Sequence, residues 1–256
     1  MIINHNMNAL NTHRQMGLNN VNAGKNMEKL SSGLRINRAA DDAAGLSISE
    51  KMRGQIRSME QSQRNAQDGI SLVQTAEGAL TEVSDMLVRM KELHTQRANG
   101  TYNSTDQANI DEELTALTSE IANIGKNTKF NDIALLDGQL DIKIQINHTS
   151  TDTTDIKMGT DISAIAPADL DATTSSIDDV AKVRAQLGAL QNRLEHTSNN
   201  LGTTTENLTA AESRIRDTDM AKEMVNLTKN NILLQASQAM LAQANQQPQG
   251  VLSLLR

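Results

Sequence analysis

Apolar residues recur at alternating steps of four and three over most of the chain, which is the spacing of helices that pack along one seam. One stripe covers residues 52–73 and continues, after a one-residue slip, through 76–90. A second covers 110–124, and a third keeps its register over 180–215. The pattern predicts three long helices, the third beginning with Ser176 as its N-terminal cap.

The two chain ends differ from this charged middle. Met7, Leu10 and Val21 keep the same spacing within a first segment that is rich in asparagine and poor in charge. From Asn230 to Leu255 no side chain is charged, although charged residues make up 21% of the sequence. The apolar side chains of this tail point in almost every direction around a helix, which predicts a helix with neighbours on all sides. Those neighbours need not belong to the same chain.

One segment changes period. Apolar and polar residues alternate over 140–146, directly after an Asp137-Gly138 pair that is typical of a turn, and a shorter alternation follows at Ile156 and Met158. These features predict a small β-hairpin.

The expected fold is mainly α: a long antiparallel helical bundle or coiled coil with a small β-hairpin, in which the N- and C-terminal helices pair. Two domains are predicted. Residues 1–42 and 220–256 form a terminal coiled coil, and residues 43–219 form a helical bundle with the hairpin near 138–160.

Composition removes several classes of function. The 256 residues include one Phe, one Tyr, no Trp and no Cys, and the net charge is −7. Disulfides and thiolate metal sites are therefore excluded, and the acidic balance argues against nucleic acid as a partner. The histidines have no metal-ligand spacing and no nucleophile motif lies in a suitable context, so we expect neither an enzyme nor a cofactor.

No segment suggests insertion in a membrane. The first residues lack the apolar run of a Sec-type signal peptide. The neutral tail carries six glutamines and a proline, which makes it too polar to span a membrane.

Asp41 and Asp42 are adjacent acids that could hold a cation. The favoured interpretation is that they pair with Arg35 or Arg38 and cap a helix.

Two quoted stretches resemble bacterial flagellins. The segment "LSSGLRINRAADDAAGLSISEKMRGQI" (residues 30–56) is similar to the N-terminal signature of that family, and "NNILLQASQAMLAQANQQPQGVLSLLR" is similar to its C-terminal end. The similarity covers roughly the first 135 and the last 75 residues, so the chain resembles a short flagellin without the central variable domains.

The resemblance implies a structural subunit that polymerises into the flagellar filament for motility. It would be exported unfolded by a type III route, without a cleaved signal peptide, and would assemble at the distal tip outside the cell. Its implied partners are further copies of itself, an export chaperone on the C-terminal helix, and the filament cap and hook-junction proteins. The implied assembly contacts are Met7, Leu10, Val21, Leu227, Leu234, Met240, Leu241, Gln243, Asn245, Leu252 and Leu255.

The resemblance also implies recognition by a host Toll-like receptor. The segment "MLVRMKELHTQRANGT" is similar to the receptor-binding region of activating flagellins, which places Arg89 and Leu93 on the contact face, with Glu113 on the next helix.

Two other classes of protein would share some of these sequence features. Hook–filament junction proteins share the terminal helices, and the cytoplasmic coiled coil of a chemoreceptor would also show heptads and few aromatic residues.

Overall fold

The computed structural model describes residues 6–138, 140–147, 149, 152–158 and 161–254, and of residues 158 and 248–254 the backbone alone. Long helices dominate, as the spacing of apolar residues predicts. The elements are α1 (Met7–Ser32), α2 (Ala43–Arg97), α3 (Ser104–Asn127), β1 (Lys129–Phe130), β2 (Ile133–Ala134), β3 (Leu140–Gln145), β4 (Thr153–Met158), a 3-10 turn (Ile162–Ala164), α4 (Leu170–Arg216) and α5 (Met220–Leu254).

Polar side chains begin several of these helices. The Asn6 Oδ1 atom accepts from the Ala9 N–H at the start of α1, and Asn103 Oδ1 accepts from the Asp106 N–H at the start of α3. Each bond satisfies a backbone donor that the first helical turn leaves free.

The start predicted for the third long helix of the sequence, α4, was wrong. Ser176 lies inside α4, where its hydroxyl donates to the Ala172 carbonyl at 2.9 Å. The helix begins at Leu170, soon after Pro167, and the Thr173 N–H bonds the Asp169 carbonyl. The polar residues of this first turn concealed the true start from a search for apolar spacing.

The chain divides into two compact units. The first comprises Met1–Gly54 with Leu208–Arg256, and the second comprises Gln55–Asn207. We call them unit 1 and unit 2. The terminal domain predicted from the sequence, residues 1–42 with 220–256, is shorter than unit 1. The predicted division into two domains stays a prediction.

Unit 2 has a continuous aliphatic core. Residues from α2, α3, α4 and the β3–β4 hairpin form it, and Val73, Leu80 and Leu87 of α2 are fully buried. A Cβ atom on Gly69 would lie 2.3 Å from Ile144 Cδ1, so the absent side chain lets the hairpin lie against α2.

The β3–β4 hairpin confirms the period-two prediction. The strands are antiparallel with Leu140 opposite Met158 and Ile142 opposite Ile156, and the φ of +74° at Gly138 fits the predicted turn. A smaller strand pair, β1–β2, was not predicted from the sequence. Its two-residue connection places Asn131 and Asp132 at positive φ, as tight hairpin turns require.

Candidate assembly surface

Helices α1 and α5 of unit 1 form an antiparallel pair, which confirms the expected pairing of the terminal helices. Near the start of α1, Asn6 Nδ2 donates to the Ala244 carbonyl oxygen at 2.7 Å. Near the end of α1, Asn26 lies beside Glu223, close to the start of α5. The two helices therefore run side by side over about twenty residues of α1.

Most of the side chains between the two helices are small or polar. On each helix seven of the buried and half-buried positions follow steps of three and four, as in a two-helix coiled coil. Those of α1 are Ala9, Thr12, Met16, Asn19, Ala23, Asn26 and Leu30. Those of α5 are Glu223, Leu227, Asn230, Leu234, Ser237, Leu241 and Ala244. We call this set the terminal seam.

A polar cluster lies within the terminal seam. The Asn26 amide nitrogen donates to Glu223 Oε1 at 2.9 Å, and its oxygen accepts from Asn230 Nδ2 at 3.0 Å; these partners assign the amide orientation. Glu223 is 9% exposed. Its charge has an amide donor and lies in the first turn of α5, where the helix N-terminus favours a negative charge. A buried carboxylate without such partners would be strongly destabilising.

The outer faces of α1 and α5 expose many large apolar side chains among polar ones. Most of the large apolar side chains that the described part of the chain exposes belong to these two helices. They are Met7, Leu10, Leu18, Val21 and Met27 of α1 and Met220, Met224, Val225, Ile232, Leu233 and Met240 of α5. Val21 is 59% exposed and Met240 is 56% exposed. Extended apolar surface of this kind marks a site of interaction.

The residues expected at assembly contacts fall into three groups. Met7, Leu10, Val21, Met240, Gln243 and Asn245 are exposed on the outer faces. Leu227, Leu234 and Leu241 are half-buried in the terminal seam, where they face α1. Leu252 belongs to the last turn of α5, of which the backbone alone is described, and Leu255 lies outside the described residues. The expected contacts mixed residues of the seam with residues of the outer face, although a heptad count through Asn19 and Asn26 would have separated the two groups.

A short hydrogen-bonded segment closes the end of unit 1 where α1 ends and α5 begins. The Arg35 N–H donates to the Arg216 carbonyl at 2.6 Å, and the Thr218 N–H donates to the Gly33 carbonyl at 3.0 Å. We call these four residues and their connections the clasp. Gly33 ends α1 with a φ of +72°, a conformation that few other residues adopt, and so lets the chain turn into the clasp.

An ion pair supports the clasp. Arg216 Nη1 lies 2.6 Å from Glu50 Oε1, and the Arg216 side chain is 12% exposed. The hydrogen bond from Arg216 holds the pKa of Glu50 below its ordinary value. The clasp could not be predicted from the sequence, because its contacts join residues far apart in the chain and use backbone groups.

Asp41 and Asp42 lie in the same part of unit 1 and accept hydrogen bonds from backbone N–H groups. Asp41 Oδ2 accepts from the Asn37 and Arg38 N–H groups, and Asp42 Oδ1 accepts from the Gly45 N–H at the start of α2. Those backbone bonds, that from Arg38 first, lower the pKa of Asp41. The capping prediction is confirmed for Asp42, whereas pairing with an arginine side chain was wrong.

The guanidinium groups have other partners. Arg38 forms its ion pair with Glu28, and Arg35 Nη2 donates to the Ile215 carbonyl. Among the described residues no group of acids, histidines or cysteines could hold a metal ion.

The suggested receptor face lies on α2 and α3 of unit 2. Arg89 forms ion pairs with Glu113 at 3.0 Å and with Glu92 at 3.1 Å, and all three side chains are exposed. These hydrogen bonds raise the pKa of Arg89. Leu93 requires a correction: it is 1% exposed and belongs to the core, so its side chain does not lie on an exposed contact face.

None of the helices within the described ranges is long and apolar enough to cross a membrane.

Comparison with known proteins gives the family. The model for the bacterial flagellin N-terminal helical region matches residues 3–141, and the model for the C-terminal helical region matches residues 170–255. Flagellin of Halalkalibacterium halodurans is 54% identical over 272 aligned residues, with all of both chains covered. Flagellin of Bacillus subtilis is 52% identical over 304 aligned residues, again with both chains covered completely.

A solved structure supports the fold alone. It is that of a putative flagellar hook-associated protein from Vibrio parahaemolyticus, with a TM-score of 0.58 at 15% identity, covering 69% of this chain and 100% of that one. The family models and the full-length relatives carry the conclusion. The chain belongs to the bacterial flagellin family and is a structural subunit of the flagellar filament, which extends outside the cell.

Proposed function

We propose that copies of this chain join through the outer faces of α1 and α5. The observation that carries the proposal is the concentration of exposed large apolar side chains on these two helices. Burial of Val21 or Met240 against another copy would remove apolar surface from water, and each such side chain contributes about 1.5–3 kcal/mol when fully buried. Because every copy presents the same surface, contacts between unlike faces extend into an open helical array.

The absence of charge from the tail fits this role. A charge buried between copies would recur in every subunit and would need a partner there each time. Gln243 and Asn245 are neutral and exposed, and their amides can form hydrogen bonds across a contact without such a cost. Within the terminal seam the one buried carboxylate, Glu223, has its amide donor in the same chain.

We assign export, which precedes assembly, to the flagellar type III route. The chain would be unfolded during transport and would assemble at the distal tip. The sequence contains no cysteine, so no disulfide has to form or break on the way. The small and polar terminal seam gives α1 and α5 a weak pairing of their own, so the pair is stabilised chiefly by neighbouring copies.

The partners before and after assembly use the same surface. An export chaperone would cover the apolar outer face of α5, which includes Val225, Ile232 and Met240. The filament cap and the hook-junction proteins would contact the faces of α1 and α5 that the first and last subunits leave open.

For a host Toll-like receptor, the exposed pair Arg89 and Glu113 is the proposed contact, without Leu93.

Electron microscopy tests the proposal. After seeding, the full chain is expected to form long filaments, whereas a chain that ends at Thr228, and therefore lacks most of α5, is expected to stay monomeric. Filaments of normal length from the shortened chain would overturn the role of α5. A retained urea-unfolding transition of unit 2 in both proteins is the control for folding.

A further inference from the structure

The loop between α2 and α3 contains an asparagine that is followed by glycine. Asn99 and Gly100 are both exposed, and they lie between the end of α2 at Arg97 and the start of α3 at Ser104. No other asparagine in the sequence precedes a glycine. The pair is outside regular structure and exposed to solvent and base.

The local geometry brings the reacting groups together. Asn99 Oδ1 accepts from the Thr101 N–H at 3.3 Å, so the side chain folds over the Gly100 peptide nitrogen. The same bond draws electron density from the amide carbon and makes it more electrophilic. Among the hydrogen bonds of the described residues, the Gly100 N–H has no acceptor, whereas the neighbouring Ala98 and Asn99 N–H groups bond back to α2.

The absent side chain of Gly100 leaves room for ring closure. A Cβ atom built on Gly100 would meet nothing within 4 Å outside the two chain neighbours, so the rest of the protein leaves open space beside this residue. A residue with a side chain would place its own Cβ against the forming ring.

We propose that Asn99 is a site of spontaneous deamidation. The deprotonated Gly100 nitrogen attacks Asn99 Cγ. A bond forms between these two atoms, the bond from Cγ to Nδ2 breaks, and ammonia leaves. The resulting succinimide adds one water molecule, which opens either of its two carbonyl–nitrogen bonds and yields aspartate or isoaspartate. No oxidant, reductant or enzyme takes part.

The product changes the loop in two ways. A carboxylate replaces a neutral amide beside a surface cavity that Asn99 shares with Lys91, Glu92 and Tyr102. The isoaspartate form also leads the main chain through the former side chain, which lengthens the loop by one carbon atom. Subunits that have aged outside the cell would differ from new ones at this position.

Asn103 provides an internal control. It is exposed in the same loop, but its Oδ1 caps α3 through the Asp106 N–H at 2.8 Å, and the next residue, Ser104, has a side chain. Trypsin releases both asparagines in one peptide, residues 98–126, so a single mass spectrum compares them.

The test incubates the folded full chain in mildly alkaline buffer and follows this peptide by mass spectrometry with fragmentation. Conversion is expected at Asn99 and not at Asn103, with a chromatographic split into aspartate and isoaspartate forms. Gly100→Ala should slow the conversion several-fold, and the open space at this position allows that variant to fold. The same reaction is measured in parallel on the chain unfolded in urea.

The comparison with the unfolded chain decides the claim. If the folded chain converts at a rate similar to or above that of the unfolded chain, the loop geometry permits the reaction as proposed. If the unfolded chain converts and the folded chain is protected several-fold, or if neither converts, the proposal is wrong.

Discussion

The Asn26 amide nitrogen and Glu223 Oε1 lie 2.9 Å apart across the terminal seam, so the buried carboxylate of α5 depends on an amide of α1. This contact joins the two ends of the chain, which are almost two hundred positions apart in the sequence. Glu223→Ala would leave the amide nitrogen of Asn26 without this partner, at a cost of about 1–3 kcal/mol. We expect filaments of this variant to depolymerise at a lower temperature, measured by light scattering.

Glu223→Gln is the matched control for that variant. Glutamine keeps an oxygen that accepts from Asn26 and removes only the charge, so its filaments should melt closer to those of the unmodified chain. Equal losses in both variants would mean that the hydrogen bond contributes nothing specific.

The second prediction concerns two helical glycines of unit 2. A Cβ on Gly125 would lie 2.8 Å from the backbone nitrogen and Cα of Ser163, which cannot move without displacing the 3-10 turn. Gly125→Ala should therefore reduce the free energy of unfolding by about 1–3 kcal/mol. In Gly78→Ala the new Cβ meets nothing within 4 Å, and the variant should gain about 0.5–1 kcal/mol from the lower backbone entropy of the unfolded chain. Urea titration followed by circular dichroism measures both, and changes of the same sign would contradict the packing argument.

Acid should open the clasp. In the folded chain the pKa of Glu50 lies below its ordinary value of 4.5 because of the bond from Arg216, and the pKa of Asp41 lies below 3.8 because of backbone bonds from Arg38 and Asn37. Lowered values mean that Glu50 stabilises the clasp, and Asp41 the adjoining turn, fully above their ordinary pKa, and that these contributions are lost as the pH falls through the lowered values. We expect hydrogen exchange at Arg35 and Thr218, corrected for its intrinsic pH dependence, to become faster in this range.

Glu50→Gln separates the two carboxyls. Its amide oxygen still accepts from Arg216 but does not titrate, so only the contribution of Asp41 should remain. Unchanged acid sensitivity in this variant would assign the effect to groups other than Glu50.

The fourth prediction concerns the suggested receptor contact. Arg89→Ala should weaken activation in a receptor reporter assay, because it removes an exposed guanidinium from the proposed face. Arg97→Ala is the matched control, since Arg97 also joins α2 to α3 through an exposed ion pair, with Asp111 at 2.9 Å. Each substitution should change stability by about 1 kcal/mol or less. Equal activation by the two variants would remove Arg89 from the contact.

The sequence predicted the elements in which apolar residues recur at a regular spacing. Helices α2, α3 and α4 follow from apolar spacing, and the β3–β4 hairpin follows from alternation after Asp137-Gly138, because a regular element imposes its own period. The pairing of the chain ends followed from their shared lack of charge. Met7, Leu10 and Val21 were found as an apolar stripe, and they lie on the outer face of α1.

Contacts that depend on backbone groups, or on the packing of two residues distant in the sequence, could not be predicted in this way. The clasp uses the carbonyls of Gly33 and Arg216, which carry no signal in the sequence. Leu93 was placed on a surface by likeness to other proteins, whereas only the packing of the α2–α3 end shows that it is buried. Nothing in the sequence distinguishes Asn26 from many other polar residues, and only the structure shows that it lies beside Glu223.

The central claim is that the outer faces of α1 and α5 join copies of the chain, and one substitution in two forms tests it most directly. Met240 is 56% exposed and does not belong to the terminal seam. Met240→Lys places a charge on the outer face of α5, whereas Met240→Leu keeps the face apolar; seeded filament growth of both is measured by light scattering and electron microscopy. The account predicts that the lysine variant fails to elongate filaments while the leucine variant elongates them normally, with the same unfolding transition of unit 2 in both. Normal elongation by the lysine variant would contradict it.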